Sequence, residues 1–178
     1  MKKIILTTIF ALFLVLSVSA QDNKVGFGLK AGMNTAMEYG EDGTTDPRTG
    51  IHGGIFVEIP VARIVDIQPE LVYSMQGCGG RSGTDKFDYI NLPIIVKIYV
   101  NQARSFSIDF GPQVGYMIHD NINSNKLNKV DAAVCFGATY KITKNIHANL
   151  RLNYGVLKIA DGYDNRNAVG QLGLSYKF

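Results

Sequence analysis

The sequence predicts an all-β fold, an eight-stranded antiparallel up-and-down transmembrane β-barrel with an N-terminal signal peptide. Three observations predict it. Apolar and polar residues alternate with period two through eight segments of roughly ten residues, the length a tilted membrane strand needs. The apolar face carries no charge on any of the eight. The connections alternate between short turns and longer loops rich in Gly, Asn, Asp and Ser, the arrangement of membrane-spanning barrels.

The leader comes first in the chain. Met1-Lys2-Lys3 is a short positive start, and Ile4 to Val18 is apolar except for Thr7, Thr8 and Ser17. Val18-Ser19-Ala20 then places small or β-branched residues where a signal peptidase cuts, so residues 1–20 read as a signal peptide and 21–178 as one barrel domain. The run is shorter than the ~20 apolar residues of a spanning helix. No Cys follows it, which argues against a lipoprotein. Removing Lys2 and Lys3 leaves 16 basic against 15 acidic residues, a balance that argues against a nucleic-acid partner. Nothing in residues 21–178 is apolar for long enough to cross a bilayer as a helix. A membrane location therefore requires a closed barrel, because lipid cannot satisfy an open sheet edge.

The strands follow in order. Val25, Phe27, Leu29, Ala31 and Met33 share one face of the first; Ile51 to Ile59 alternate likewise in the second, and Ile67 to Met75 in the third. Ile90 to Ile98 make the fourth, Phe106 to Tyr116 the fifth and Val130 to Tyr140 the sixth. Ile146 to Val156 and Ala168 to Phe178 complete the set. Ala62–Val65, Asn101–Arg104 and Lys141–Asn145 are the short turns; Asn34–Gly50, Gly77–Lys86, His119–Lys129 and Lys158–Asn167 are the long loops. An even strand count brings both ends of the domain to the short-turn, periplasmic side.

The same alternation fits a soluble lipocalin-like barrel binding a small apolar ligand, whose apolar face would turn inward. The charges on the other face argue against this. They are Lys30, Glu58, Glu70, Lys97, Asp109, Asp131, Arg151 and Lys177, four of each sign. A narrow closed lumen demands such balance, because an unpaired buried charge costs several kcal/mol. Eight strands leave an interior that side chains just fill, so these charges read as structural staples in a packed lumen. Counting from the short turns places Glu70, Lys97 and Asp109 at similar depth on adjacent strands. Lys97 is then expected between the two acids, and Lys97→Met is expected to destabilise by roughly 3–5 kcal/mol.

Catalytic and metal chemistry find little support. His52 and His147 point by pattern into the lumen from opposite ends, and His119 falls in a loop, with no HxH or HExxH spacing. No Ser–His pair lies on the lipid face, where a lipid-modifying enzyme would need it. Glu38, Glu41, Asp42 and Asp46 could offer oxygen ligands to a divalent cation, but their spacing matches no calcium loop, and a solvated loop is the expectation. Cys78 in a loop and Cys135 in the lumen are expected unpaired, although the compartment permits a disulfide if the loop folds inward. No catalytic, cofactor-binding or metal-ligating residue is assigned, and no cofactor is implied. Tyr73, Phe106, Tyr116, Tyr140, Tyr154, Tyr176 and Phe178 face outward near strand ends, where interfacial girdles form.

Five motifs carry a family resemblance across the domain. They are Gly28-Leu29-Lys30-Ala31-Gly32-Met33-Asn34, Tyr89-Ile90-Asn91-Leu92-Pro93-Ile94-Ile95-Val96-Lys97, Gly111-Pro112-Gln113-Val114-Gly115-Tyr116, Asn153-Tyr154-Gly155-Val156 and Leu172-Gly173-Leu174-Ser175-Tyr176-Lys177-Phe178. In their order and spacing they resemble the small outer-membrane β-barrel proteins of the Bacteroidota, the PorT-like family with its outer membrane protein β-barrel domain. The resemblance implies an outer-membrane location and contact with outer-membrane lipid. A terminal Phe178 fits the signal read by barrel-insertion machinery. The expected function is non-enzymatic: display of surface loops in adhesion, surface interaction or envelope integrity, with a surface or secretion-system partner unidentified. A lipid-modifying outer-membrane enzyme remains the other alternative.

Overall fold

The alternation is realised as eight long antiparallel strands: β1 (Gly26–Gly40), β2 (Asp46–Ala62), β3 (Val65–Gly80), β4 (Gly83–Tyr99), β5 (Phe106–Asp120), β6 (Val130–Lys141), β7 (Ile146–Gly155) and β8 (Arg166–Lys177). A two-residue strand, Gly43–Thr44, folds back on the end of β1. The computed structural model describes residues 25–40, 43–80, 83–120, 128–157 and 165–178. The leader at 1–20, Glu41 and Asp42 of the acidic loop, and most of the last two long loops lie outside the described residues.

Each strand pairs with its sequence neighbours, and β1 also pairs with β8 from Gly28↔Lys177 to Tyr39↔Arg166, which closes the barrel. Closure gives every strand two partners and leaves no edge. The register has a stagger. Starting at Gly28, partners run through Phe56, Glu70, Pro93, Gln113, Ala133, Gly155 and Asn167 and return to β1 at Glu38, ten residues beyond the start. Such a stagger tilts the strands by about 35–45° and fixes a narrow bore.

Two of the expected loops are largely strand. β1 and β2 stay paired beyond Asn34↔Gly50 to Ala36↔Arg48, and β3 and β4 stay paired to Gly80↔Gly83. His119 likewise lies in β5 and pairs with Asp88. The expected ends stopped where the apolar alternation stops. The hydrogen-bonded ladder does not stop there, because a hairpin standing in water needs no apolar face to keep its backbone paired. The β1–β2 and β3–β4 hairpins therefore continue past the apolar band, and β5 extends beside β4 to Phe87↔Asp120.

The apolar face is outside. Leu29, Met33, Ile55, Leu92, Val114, Phe136, Leu150 and Leu172 are all exposed, while Lys30, Glu58, Glu70, Lys97, Asp109 and Arg151 are buried. This overturns the soluble lipocalin-like alternative, which needs the reverse. A continuous apolar belt is far larger than the patches a water-soluble monomer exposes. Aromatics border it. Phe106, Tyr140, Tyr176 and Phe178 sit beside the short turns, Tyr73, Tyr116 and Tyr154 toward the loops, and all seven are exposed. Ile59 departs from the pattern: it is buried, next to the irregular register between Pro60 and Ala62.

Leu172 lies midway along the belt and is 63% exposed. Leu172→Arg should destabilise by about 2–4 kcal/mol in urea unfolding from lipid vesicles, the cost of a cation at the midplane. An unchanged unfolding midpoint would mean that this face does not meet hydrocarbon.

Candidate functional site

Side chains that point inward from tilted strands meet across a bore narrow enough for opposite walls to touch. The lumen is therefore where the chain concentrates its chemistry. Glu70, on β3, is its centre. Its Oε2 accepts from Lys30 Nζ of β1 at 3.0 Å and from Arg151 Nη1 of β7 at 2.8 Å. Its Oε1 accepts from Arg151 Nη2 and from Gln68 Nε2, both at 2.7 Å. Four donors fill the carboxylate's lone-pair directions, and the Arg151 pair is the bidentate fork that suits a guanidinium. The contact crosses the lumen, joining β3 to β7 and β1.

Local packing creates room for this. Gly28 on β1 faces Phe56 of β2, and a Cβ there would collide with the Phe56 ring and with the Tyr176 carbonyl. Glycine at this position leaves the space that the Phe56 ring occupies. Gly54, the partner of Lys30 in the ladder, adds no side chain of its own.

A second cluster lies nearer the short turns. Lys97 Nζ donates to Glu58 Oε2 at 3.0 Å and to Gln68 Oε1 at 3.2 Å, and Lys177 also donates to Glu58. Gln68 thus links the two clusters. Lys97 does not bridge Glu70 and Asp109, as depth counting had suggested. Asp109 is its ladder partner, but the Asp109 oxygens accept from Ser107 and Thr139 hydroxyls, each at 2.6 Å. The reason is the stagger. Across the β3–β4 ladder the register sets Asp66, not Glu70, opposite Lys97, whereas Asp109 does stand opposite Lys97 but is satisfied by the two hydroxyls. Asp131, at the loop end of β6, is half-buried and forms no ion pair with a described residue.

The turn end carries a pair that sequence reasoning missed. Asp66 is fully buried and pairs with Arg104 from the β4–β5 turn, whose guanidinium also lies 4.2 Å from the Tyr99 ring centroid. Arg104 adopts left-handed backbone with φ at 51°, uncommon for a residue with a side chain. Partial burial works to lower the Arg104 pKa, but the Asp66 carboxylate outweighs it and holds the guanidinium above its ordinary range. The only sequence signal was an acid one residue past a turn.

Above Glu70 the lumen is amide-lined. Asn34 Nδ2 donates to Ser74 Oγ at 2.8 Å and to Met75 O at 3.1 Å. Asn34 Oδ1 lies 2.7 Å from His52 Nδ1 and accepts from Gln171 at 3.2 Å. His52 is therefore part of a hydrogen-bonded layer. His147 is half-buried at the turn end, opposite Ser175 and Lys141. Cys135 is a buried free thiol. Phe87, Tyr89 and Met117 pack together at the loop end. Among the described residues, no group of three or more His, Cys, Asp and Glu could hold a metal ion.

Glu70→Ala should destabilise by roughly 3–5 kcal/mol, because it leaves Lys30 and Arg151 buried without their anion. Lys97→Met should cost less, because Glu58 keeps Lys177. The triple change Lys30→Met, Glu70→Gln, Arg151→Met should recover most of the loss. Urea unfolding of each variant from detergent micelles measures the ranking, and a harmless Glu70→Ala would contradict it. In planar bilayers the pure protein should show no steady unitary current, since buried side chains fill the lumen from Tyr99 to Phe87.

The comparisons with known proteins agree with this geometry. A family model described as "Outer membrane protein beta-barrel domain" matches residues 19–161. The chain is similar in fold to Neisserial surface protein A (NspA), at TM-score 0.63 and 15% identity, covering 88% of this chain and 100% of that one. It is similar also to Ail, the attachment invasion locus protein of Yersinia pestis, at TM-score 0.57 and 14% identity, again covering 88% and 100%. A comparison with curated protein sequences finds no match. The chain belongs to the outer membrane protein β-barrel domain family.

Proposed function

We propose that this chain is a non-enzymatic outer-membrane protein that holds polypeptide at the cell surface for adhesion, surface interaction or envelope integrity. The observation that carries the reading is the division of labour along the barrel axis. The bore is blocked by paired charges and amides, which suits a rigid pedestal better than a conduit. The hairpins β1–β2 and β3–β4 continue as strand beyond the apolar belt, and they end on the side opposite the short turns. Ser74 lies opposite His52 and Ser175 opposite His147, but the Ser74 hydroxyl accepts from Asn34 and Gln76 and that of Ser175 from Asn149, and among the described residues neither histidine is hydrogen-bonded to its serine.

Ail supports the reading by analogy. Its name is that of an attachment protein, and its structure was solved with the heparin analogue sucrose octasulfate. Three further elements belong to the proposal. Residues 1–20 act as the export signal. Phe178, exposed at the end of β8, presents the terminal aromatic that barrel-insertion machinery reads. The five motifs quoted above support a PorT-like member from the Bacteroidota. The lumen charges other than Asp131 serve stability, and no partner for the outer hairpins is named.

Epitope tags test the reading. A tag within residues 121–127 should be reached by antibody on intact cells, and one between Thr143 and Lys144 only after permeabilisation. Cells that lack the protein should lose attachment to a surface or become sensitive to detergent. Reversed tag exposure, or recovery of the protein in the soluble periplasmic fraction, would overturn the proposal.

A further inference from the structure

The outer face over β7, β8 and β1 is not a uniform wall of large side chains. Toward the short turns it carries a shallow, open groove of about 490 Å³ whose lining includes Leu29, Ala31, Ile146, Leu174 and Tyr176, together with Lys30, Gly54 and Ser175. Its floor is Ala31, whose ladder partner on β8 is Leu174. The short side chain leaves a recess between Leu29, Leu174 and Tyr176. Because the face belongs to the apolar belt, what fills the recess is hydrocarbon and not water.

The turn that leads into the groove carries one exposed lysine. The β6–β7 turn runs through Thr143, Lys144 and Asn145 directly into Ile146. It is pinned to β8: Asn145 Nδ2 donates to Lys177 O at 2.7 Å, and Lys177 N donates to Asn145 O at 2.8 Å. The Thr143 hydroxyl accepts from the Ile146 N–H at 3.0 Å, which fixes the turn's shape. Lys144 is exposed on this rigid turn. The residues between strands in the three short turns include Arg63, Arg104 and Lys144 and no acid. Arg104 is tied to Asp66 and Arg63 to Gln102, whereas Lys144 forms no hydrogen bond or ion pair with a described residue.

We propose that this groove is a binding site for one anionic phospholipid of the periplasmic leaflet, with an acyl chain against Ala31 and the phosphate at Lys144. Charge complementarity selects the occupant. An exposed cation at the level of the headgroups attracts an anionic lipid. The alternative occupant, a second copy docked through the same face, would bring two Lys144 turns together. The site rests on the membrane reading of the barrel and is independent of surface display.

Native mass spectrometry of the full chain tests it. The protein is released from nanodiscs of phosphatidylcholine containing a minority of phosphatidylglycerol. One phosphatidylglycerol should stay bound. Lys144→Gln should lower its retention roughly fivefold. Ala31→Leu should fill the recess and abolish retention, whereas Ala138→Leu, on β6 outside the groove, should leave it unchanged. A heat-dependent gel shift shows that each variant has folded. Equal retention of phosphatidylcholine, or no effect of Ala31→Leu, would reduce the lipid to unspecific annulus and overturn the proposal. A lipid-free dimer that Ala31→Leu disperses would overturn it in favour of a second copy.

Discussion

A bilayer offers no hydrogen bonds, and the rest of this structure depends on that deficit. Each backbone N–H or C=O left unpaired in hydrocarbon costs several kcal/mol, so the sheet has to close. The β1–β8 ladder, from Gly28↔Lys177 to Tyr39↔Arg166, achieves closure. With eight strands and a stagger of ten residues the bore is narrow. Period two then sends every second side chain into it. Those side chains lose water, and any charge among them needs a partner nearby. The charge clusters around Glu70 and Glu58 are thus consequences of closure and do not require a catalytic explanation.

Closure also explains why the inner charges serve fold specificity as well as stability. Glu70 on β3 can meet Arg151 on β7 only when the barrel is complete, because the two strands are not neighbours in the sheet. The contact is absent from any partly paired sheet. A shift of one residue in any ladder would turn that strand's polar face into lipid and its apolar face into the lumen. Lys30, Arg151 and Glu70 lie on three different strands. A slip in any of the three breaks the same carboxylate's hydrogen bonds, which adds an electrostatic check to the hydrophobic one.

The fold was legible in the sequence for a simple reason. The alternation Phe27, Leu29, Ala31, Met33 against Lys30 and Asn34 is a local signal, and a barrel wall is made of local signals repeated. The inner and outer faces were legible because Lys30, Glu58, Glu70, Lys97, Asp109 and Arg151 all fall on one parity. What was not legible was any contact that depends on how strands slide past one another. Lys97 was expected between Glu70 and Asp109 and instead meets Glu58, because stagger is a property of the closed sheet. Asp66 escaped notice because its partner Arg104 reaches it from a different turn, bent into left-handed backbone. The hairpin extensions at Ala36↔Arg48 and Gly80↔Gly83 escaped for the opposite reason, since above the belt neither face needs to be apolar.

The distribution of residue types along the axis narrows where function can reside. The belt is constrained by lipid, and the bore by pairing. The short turns are constrained by geometry: Asn145 is clamped to Lys177, and Arg104 is anchored on Asp66 and Tyr99. A residue at any of these places can change little without a structural cost. The outer hairpins lie beyond both the lipid belt and the paired bore, and their contacts are with one another and with neighbouring strand ends. Glu38, Asp46, Arg48, Lys86, Asp88 and Asp120 lie on strand ends that the barrel supports but whose charges it does not use to close its bore. The closed scaffold holds these extensions on one side, beyond the belt. On the proposed surface role, recognition is to be sought in the outer hairpins, while the walls beneath them are set by closure and pairing.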